Sequence, residues 1–185
     1  MRMGSALLVL ALLGAPACGG GGGSAAGTGG SPSPVSASFV PDQPSPGANT
    51  FAMLQGAKNN DIVNVYVTIT DTSGVYGAAL EVVFDTADAA YLGFTHGAAF
   101  EQGGNTPNYT VDGTSNPGRI VIAVSRTGPT STNIVGSKAM LTLQFRVKKT
   151  GTFPVTYENS AIYDAQNPPQ PLGGIAWFAG ALKGV

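Results

Sequence analysis

The stretch that decides the fold is "KAMLTLQFRVKK", Lys138–Lys149. One set of alternating side chains is apolar: Ala139, Leu141, Leu143, Phe145 and Val147. The other set is Met140, Thr142, Gln144, Arg146 and Lys148, which suits contact with water. Because successive side chains of a strand point to opposite faces, this stretch predicts a strand with one buried face and one wet face.

Further strand patterns lie on both sides of this stretch. "DIVNVYVTIT" places Val63, Val65, Val67 and Ile69 on one face, "VYGAALEVVFD" does the same for Leu80, Val82 and Phe84, and "GRIVIAVS" for Ile120, Ile122 and Val124. "YLGFTHG", "PNYTVDG", "TFPVTYENSAIYD" and "GIAWFAGAL" are further candidates. Clusters of Gly, Pro, Asn and Asp separate the runs, "TSG" at 72–74 predicts a turn, and Asp85–Tyr91 is the one candidate for a helical turn. Many short strands and little helix predict an all-β fold, a two-sheet sandwich.

The first 34 residues have a different composition. Arg2 is followed by a short apolar core, Ala6–Leu13, and then by small residues, which is the order of a secretory signal peptide over residues 1–17. This core is too short to cross a bilayer core of about 30 Å. Residues 18–34 are nearly all Gly, Ser, Ala, Thr and Pro and predict a flexible tether. Residues 35–185 are long enough for one domain with its own core.

Cys18 is the only cysteine of the chain and directly follows the small residues. An exported protein with one cysteine forms no internal disulfide, so the thiol needs another explanation. The small residues before it resemble the bacterial lipobox, although Ala15 stands where leucine is commonest. The resemblance implies lipidation of Cys18 and an exported lipoprotein anchored at the outer membrane or cell surface. The alternative is an ordinary signal peptide followed by an unmodified thiol.

The charge of the chain excludes several partners. Charged residues make up only 10% of the sequence, and the net charge is −1. There is no basic stripe, so nucleic acid is not expected as a partner. There is also no polybasic patch for anionic lipid, so the lipid anchor is the only expected contact with a membrane.

The order of the segments resembles the cohesin domain family, the receptor modules for dockerins in bacterial surface assemblies. Three stretches carry the resemblance: "SGVYGAALEVVFD" followed by "YLGF", then "GRIVIAVS", then "AMLTLQFRVKKTGTFPVTYENSAIYDAQNPP". It extends from about Ser38 to Leu182. One departure is that Asp85 is followed by Thr86, where cohesins usually have Asp-Pro, and "TADAA" lengthens the turn. The resemblance implies a jelly-roll sandwich of about nine strands and a dockerin-bearing protein partner.

The residues offer little for catalysis. His96 is the only histidine, whereas Ser–His–Asp and Cys–His systems need a histidine base and structural zinc sites need four His or Cys ligands. Its setting in "FTHGAAF" favours a surface or loop histidine. No enzyme activity, catalytic residue or cofactor is therefore expected. Asp85 and Asp88 are candidates for a calcium site, since calcium prefers several oxygen ligands, and turn or cap roles are the alternative.

The aromatic side chains do not form an evident sugar platform. Such a platform needs several rings on one flat face, and these rings are spread over different strands, which favours packing roles. The residues concerned are Tyr66, Tyr76, Tyr91, Tyr109, Tyr157, Tyr163 and Trp177.

One candidate binding face remains. If the apolar sets of "VYGAALEVVFD" and "GRIVIAVS" face the core, the opposite faces carry Ala79, Glu81, Val83, Val121, Ala123 and Ser125. These outward faces are unusually apolar, and the resemblance implies that the two strands lie together in the sheet that receives dockerin. An exposed apolar patch suits a protein partner. The alternative is that the segment Phe39–Leu54 or a long loop covers the face.

The sequence therefore predicts a lipid-anchored, non-catalytic module for protein docking in an envelope or extracellular assembly. Two other functions stay open. A carbohydrate-binding module would bind polysaccharide, and a structural subunit would link copies into an envelope or fibre assembly.

Overall fold

The computed structural model describes residues 35–185, which form eleven strands in two sheets. The predicted signal peptide (residues 1–17), Cys18 and the tether (residues 18–34) lie outside the described residues. The strands are β1 Ala37–Pro41, β2 Thr50–Asn59, β3 Ile62–Val75, β4 Gly77–Val83, β5 Ala89–His96, β6 Asn108–Asp112, β7 Arg119–Ser125, β8 Thr132–Val147, β9 Gly151–Tyr163, β10 Ala176–Phe178 and β11 Gly180–Gly184. A one-turn 3-10 helix, Ala98–Phe100, follows β5. Within this part of the chain, no helix has the length and apolar character needed to cross a membrane.

The predicted two-sheet sandwich is confirmed. One sheet has six strands in the order β1-β11-β9-β4-β7-β6, all antiparallel. The other has five strands in the order β10-β2-β3-β8-β5, in which only the β10–β2 pair is parallel. The strand number exceeds nine partly because "GIAWFAGAL" splits at Ala179 into β10 and β11, which belong to different sheets.

The core lies between the two sheets and contains the apolar sets that the alternation predicts, except Ala139, which is only partly buried. Leu141, Leu143, Phe145 and Val147 of β8 are buried, as are Val63, Val65, Val67 and Ile69 of β3. Leu80 and Val82 of β4 and Ile120, Ile122 and Val124 of β7 are buried from the other sheet. Burying this apolar surface, at roughly 25 cal/mol per Å², is the main force that holds the sheets together.

Met140 departs from the alternation of β8. The pattern places its side chain on the wet face, but the side chain is fully buried. Leu141 pairs with Val67 and Ala139 pairs with Thr68, so Met140 is an extra residue without a partner in β3. A β-bulge of this kind lets two consecutive side chains, here Met140 and Leu141, both become buried.

The turn predicted from "TSG" at 72–74 is wrong, because β3 continues through these residues to Val75. Positive φ angles at Asp71 (40°) and Gly74 (73°) and two register shifts against β8 bend the strand here instead. The chain then crosses at Tyr76 to the other sheet, where β4 begins. The candidate helical turn is a single hydrogen-bonded turn, in which the amides of Asp88 and Ala89 both donate to the Asp85 carbonyl.

Candidate functional site

The six residues of the predicted binding face lie together on the outward side of the six-stranded sheet. Strands β4 and β7 are neighbours, with Ala79 opposite Ala123 and Glu81 opposite Val121. The alternate residues Leu80, Val82, Ile120 and Ile122 face the core. We call the outward side of β9, β4, β7 and β6 the β4–β7 face.

The β4–β7 face is not covered by the segment Phe39–Leu54. The first part of that segment is β1, which pairs with β11 at the far edge of the same sheet, and the last part is β2, in the other sheet. Val121 is 43% exposed. The loop 164–170 after β9 borders one end of the face through Pro169.

One end of the face forms a shallow hollow with a cavity volume of about 430 Å³. Its floor consists of small residues, since Gly77, Ala79 and Ala123 have almost no side chain to fill the space. The rim is larger and partly polar. It consists of Tyr76, Tyr163, Pro169, Asn108, Thr110 and Ser125.

The other end of the face is charged. Arg119 at the start of β7 forms ion pairs with Glu81 of β4 and with Glu158 of β9, the second at 2.8 Å between Nη2 and Oε2. Asp112 of β6 lies opposite Val121 on the same face. Three carboxylates against one guanidinium give this end a net charge of −2.

Local hydrogen bonds keep Asp112 ionised. The Ser115 side chain and the backbone amides of Thr114 and Ser115 hold the pKa of the Asp112 carboxyl well below its usual value. Asp112 therefore keeps its negative charge over the neutral and mildly acidic pH range.

Several residues of the face cannot be found from the strand pattern. Glu158, Tyr163 and Pro169 belong to it because β9 pairs with β4, and because the loop after β9 folds back along Tyr163. Tyr76 lines the hollow from the crossing between β3 and β4. Arg119, by contrast, follows from alternation, since it shares the outward side of β7 with Val121 and Ala123. Alternation shows which side of a strand is buried, but it does not show which strands are neighbours.

The calcium candidates have other partners. Asp85 Oδ1 accepts a hydrogen bond from the Ala87 amide at 2.7 Å, as in a turn cap, and Asp88 Oδ1 lies 2.6 Å from Lys149 Nζ. The Thr86 carbonyl between them accepts from Lys148 Nζ at 2.6 Å. In residues 35–185, no three His, Cys, Asp or Glu side chains are grouped to hold a metal ion.

The remaining candidates are dispersed. His96 is exposed at the end of β5, where its ring stacks on Tyr109 at 4.1 Å between centroids. Tyr157 and Trp177 pack against Phe51 in an aromatic cluster. Tyr76 and Tyr163 both lie at the rim of the hollow.

Comparison with known proteins identifies the family. The family model described as "Cohesin domain" matches residues 52–169, which is more than half of the chain. The comparison with curated proteins found no match.

Among solved structures, a type II cohesin domain from the cellulosome of Acetivibrio cellulolyticus aligns with a TM-score of 0.56 at 14% identity, covering 81% of this chain and 95% of that chain. The third cohesin ScaC of the same organism, in complex with the ScaB dockerin, aligns with a TM-score of 0.53 at 16% identity, covering 64% and 86%. The seventh ScaB type I cohesin of Pseudobacteroides cellulosolvens has a TM-score of 0.53 at 15% identity, covering 64% and 80%. These likenesses agree with the sandwich described above, and the family match shows that the chain belongs to the cohesin domain family.

Proposed function

We propose that the chain is a non-catalytic docking module that binds a dockerin-type protein partner on the β4–β7 face. The observation that carries the proposal is the preformed surface of this face, with a small-residue hollow at one end and a net negative charge at the other. Family membership supports it, since a similar cohesin was solved in complex with a dockerin.

The two ends of the face have different roles in this proposal. The hollow accepts apolar side chains of the partner, and their burial supplies most of the affinity. The acidic end attracts a partner with Lys or Arg opposite Glu81, Glu158 and Asp112, which speeds association and rejects acidic partners. A stable interface of standard size buries about 800 Å² on each partner, so it extends beyond the hollow onto β9 and β6.

We further propose that lipid on Cys18 holds the module at the outer membrane or cell surface. The described chain begins beside β11, where the Ser36 amide donates to the Val185 carbonyl at 2.8 Å. At this end of the sandwich Gly184 pairs with Gly151, the first residue of β9, whereas Tyr163 at the other end of β9 borders the hollow. A strand of this length spans about 40 Å, so the hollow lies near the end of β9 that is remote from Val35.

A matched pair of valine substitutions tests the docking site. Val121→Lys places a long cation in the middle of the β4–β7 face, and Val135→Lys places the same change on the other sheet, where Val135 is 73% exposed. Each variant is titrated by calorimetry with the dockerin-bearing proteins of the source organism, prepared individually. We expect Val121→Lys to weaken docking at least about tenfold, because a hot-spot position loses its apolar contact, and Val135→Lys to bind like the parent chain.

Thermal unfolding of both variants provides the control, since both valines are exposed and neither change should alter the fold. Equal affinities for the two variants, or the absence of binding to every dockerin tested, would refute the proposed docking site.

A further inference from the structure

The outward side of the five-stranded sheet carries a second candidate site, on the opposite side of the molecule from the β4–β7 face. A groove of about 190 Å³ runs across β3, β8 and β5. It is lined by the polar residues Asn64, Gln144, Thr142 and Thr95 and by Gly93, Leu92 and Phe94. The register places Gly93 next to Gln144 and Thr95 next to Thr142.

Backbone irregularities in β5 create the groove. Tyr91 pairs with Phe145 and Gly93 pairs with Gln144, so Leu92 is an extra residue that bulges outward. Gly93 has a φ of 142°, which side-chain-bearing residues rarely adopt, and the space where its Cβ atom would lie is empty. The missing side chain leaves the groove open beside the Gln144 amide.

An aromatic ring lies outside the groove, beyond β3 and over β2. Tyr66 lies opposite Thr142 and is 37% exposed. Its ring rests against Gly56 of β2, where a Cβ atom would come within 2.9 Å of the ring carbon Cζ. Gly56 therefore makes room for the ring on the sheet, and the exposed part of the ring is available to a ligand.

The groove has hydrogen-bonding capacity that residues 35–185 do not use. Gln144 Nε2 donates to Asn64 Oδ1 at 3.2 Å, which leaves the Gln144 oxygen and the Asn64 amide group without a side-chain partner in this part of the chain. The hydroxyls of Thr142 and Thr95 likewise have no protein partner there. These groups both donate and accept hydrogen bonds.

The groove carries no formal charge. Arg146, the next outward residue of β8, is paired with Asp61, with 3.2 Å between Nε and Oδ2. Amides, hydroxyls and an exposed tyrosine without net charge suit a ligand that offers many hydroxyl groups and apolar C–H faces. We propose that this groove binds a neutral polysaccharide chain, with sugar hydroxyls on Gln144, Asn64 and Thr142. The chain continues across β3, where the next sugar ring lies against Tyr66 over β2.

The two surfaces then have separate ligands, a protein on the β4–β7 face and a glycan on the groove. The groove proposal does not depend on the docking proposal, because the two surfaces belong to different sheets and share no residue.

Titration followed by NMR tests the groove. The full chain carrying Cys18→Ser, which cannot be lipidated, is titrated with cellohexaose, xylohexaose and the anionic hexagalacturonate. We expect at least one neutral hexasaccharide to shift the amide signals of β3, β8 and β5. We expect Tyr66→Ala to weaken its binding about tenfold and Thr142→Val, which removes one hydroxyl with little change of shape, about threefold.

Tyr163→Ala on the β4–β7 face is the matched control and should leave glycan binding unchanged. The amide spectra of the variants show whether the fold is intact, and Thr142→Val keeps the test valid if Tyr66→Ala fails to fold. The proposal is wrong if neither neutral sugar shifts any signal at concentrations up to about 10 mM, if the shifts fall on β4 and β7, or if only the anionic sugar binds.

Discussion

At the scale of single residues, the hydroxyl of Tyr157 is a polar group buried without a hydrogen-bond partner in the described part of the chain. The ring packs edge-on against Phe51 and Trp177, with centroids 5.8 Å and 5.4 Å away. Burial raises the pKa of the Tyr157 hydroxyl well above its usual value. The aromatic contacts stabilise the fold, while the desolvated hydroxyl opposes it.

Removing this hydroxyl should therefore stabilise the protein. We expect Tyr157→Phe to raise the free energy of unfolding by about 1 kcal/mol, measured by urea denaturation, because the variant keeps the ring and loses an unsatisfied polar atom. Tyr109→Phe is the matched control: the Tyr109 hydroxyl lies 3.0 Å from the carbonyls of both Gly97 and Met140, so its removal should cost about 1 kcal/mol. If Tyr157→Phe lowers the free energy of unfolding as much as Tyr109→Phe does, this account is contradicted.

The pKa of Tyr157 also predicts a pH dependence. Since the folded state holds the pKa above the unfolded value of about 10, stability is unaffected below pH 10 and falls as the pH rises further, because only the unfolded state readily loses the proton. Tyr157→Phe should lose less stability than the parent chain between about pH 10 and pH 11.5. If the free energies of unfolding of the parent chain and Tyr157→Phe fall in parallel with pH over this range, Tyr157 is not a buried, neutral group.

At the scale of elements, Arg126 joins the segments that lead into and out of β6 and β7. It is buried, and no carboxylate pairs with it among residues 35–185. Its Nη1 and Nη2 groups donate to the carbonyls of Phe100 and Gln102 at 2.9 Å, and its Nε donates to the Thr130 carbonyl at 3.2 Å. One guanidinium thus fixes the 3-10 helix and the loop that follows β7 to each other.

Replacing Arg126 by Met keeps a long side chain and removes all three donors. We expect Arg126→Met to lower the free energy of unfolding by about 2 kcal/mol and to speed amide exchange at residues 98–107, because carbonyls lose their partners. Arg146→Met, at an exposed ion pair with Asp61, should change stability by less than about 0.5 kcal/mol. Similar losses for the two variants would show that Arg126 does not hold these loops.

The strands also show which parts of the fold and of the candidate site can be predicted from the sequence. Strands β4 and β7, β3 up to Val67 and β8 beyond Leu141 follow from alternation, because each has one buried and one outward face there. Strand β2 does not, because Phe51, Ala52 and Met53 are all buried and leave no period of two. The bulge at Met140 and the hydrogen bonds from Arg126 to three loop carbonyls depend on which segments become neighbours in the fold. The candidate face was predictable in its β4 and β7 residues, whereas its rim, including Tyr163 and Glu158, depends on the pairing of β9 with β4.

At the scale of the whole molecule, the sandwich presents two different outward faces. The β4–β7 face combines an apolar hollow with net negative charge, and the groove on the five-stranded sheet is uncharged and rich in amides and hydroxyls. The described chain begins beside Val185 and Gly184, at the end of the sandwich opposite the hollow.

The proposed lipid anchor predicts how the protein partitions between a detergent-rich and an aqueous phase. In membranes of the source organism, the parent chain should enter the detergent-rich phase on detergent phase separation, since acyl chains contribute about 0.8 kcal/mol per buried CH₂ group. Cys18→Ser should move the protein to the aqueous phase, and Ser24→Ala, a change within the tether, should leave it in the detergent phase. If Cys18→Ser behaves like the parent chain, Cys18 is not the site of lipidation.

The central claim is that the β4–β7 face receives the protein partner, and the most direct measurement is the structure of the complex with a dockerin that binds. We predict that the partner covers Ala79, Val121 and Ala123, fills the hollow beside Tyr163 and places basic side chains near Glu81 and Glu158. A complex in which the partner sits on the five-stranded sheet or on a sheet edge, with Val121 still exposed, would contradict the account.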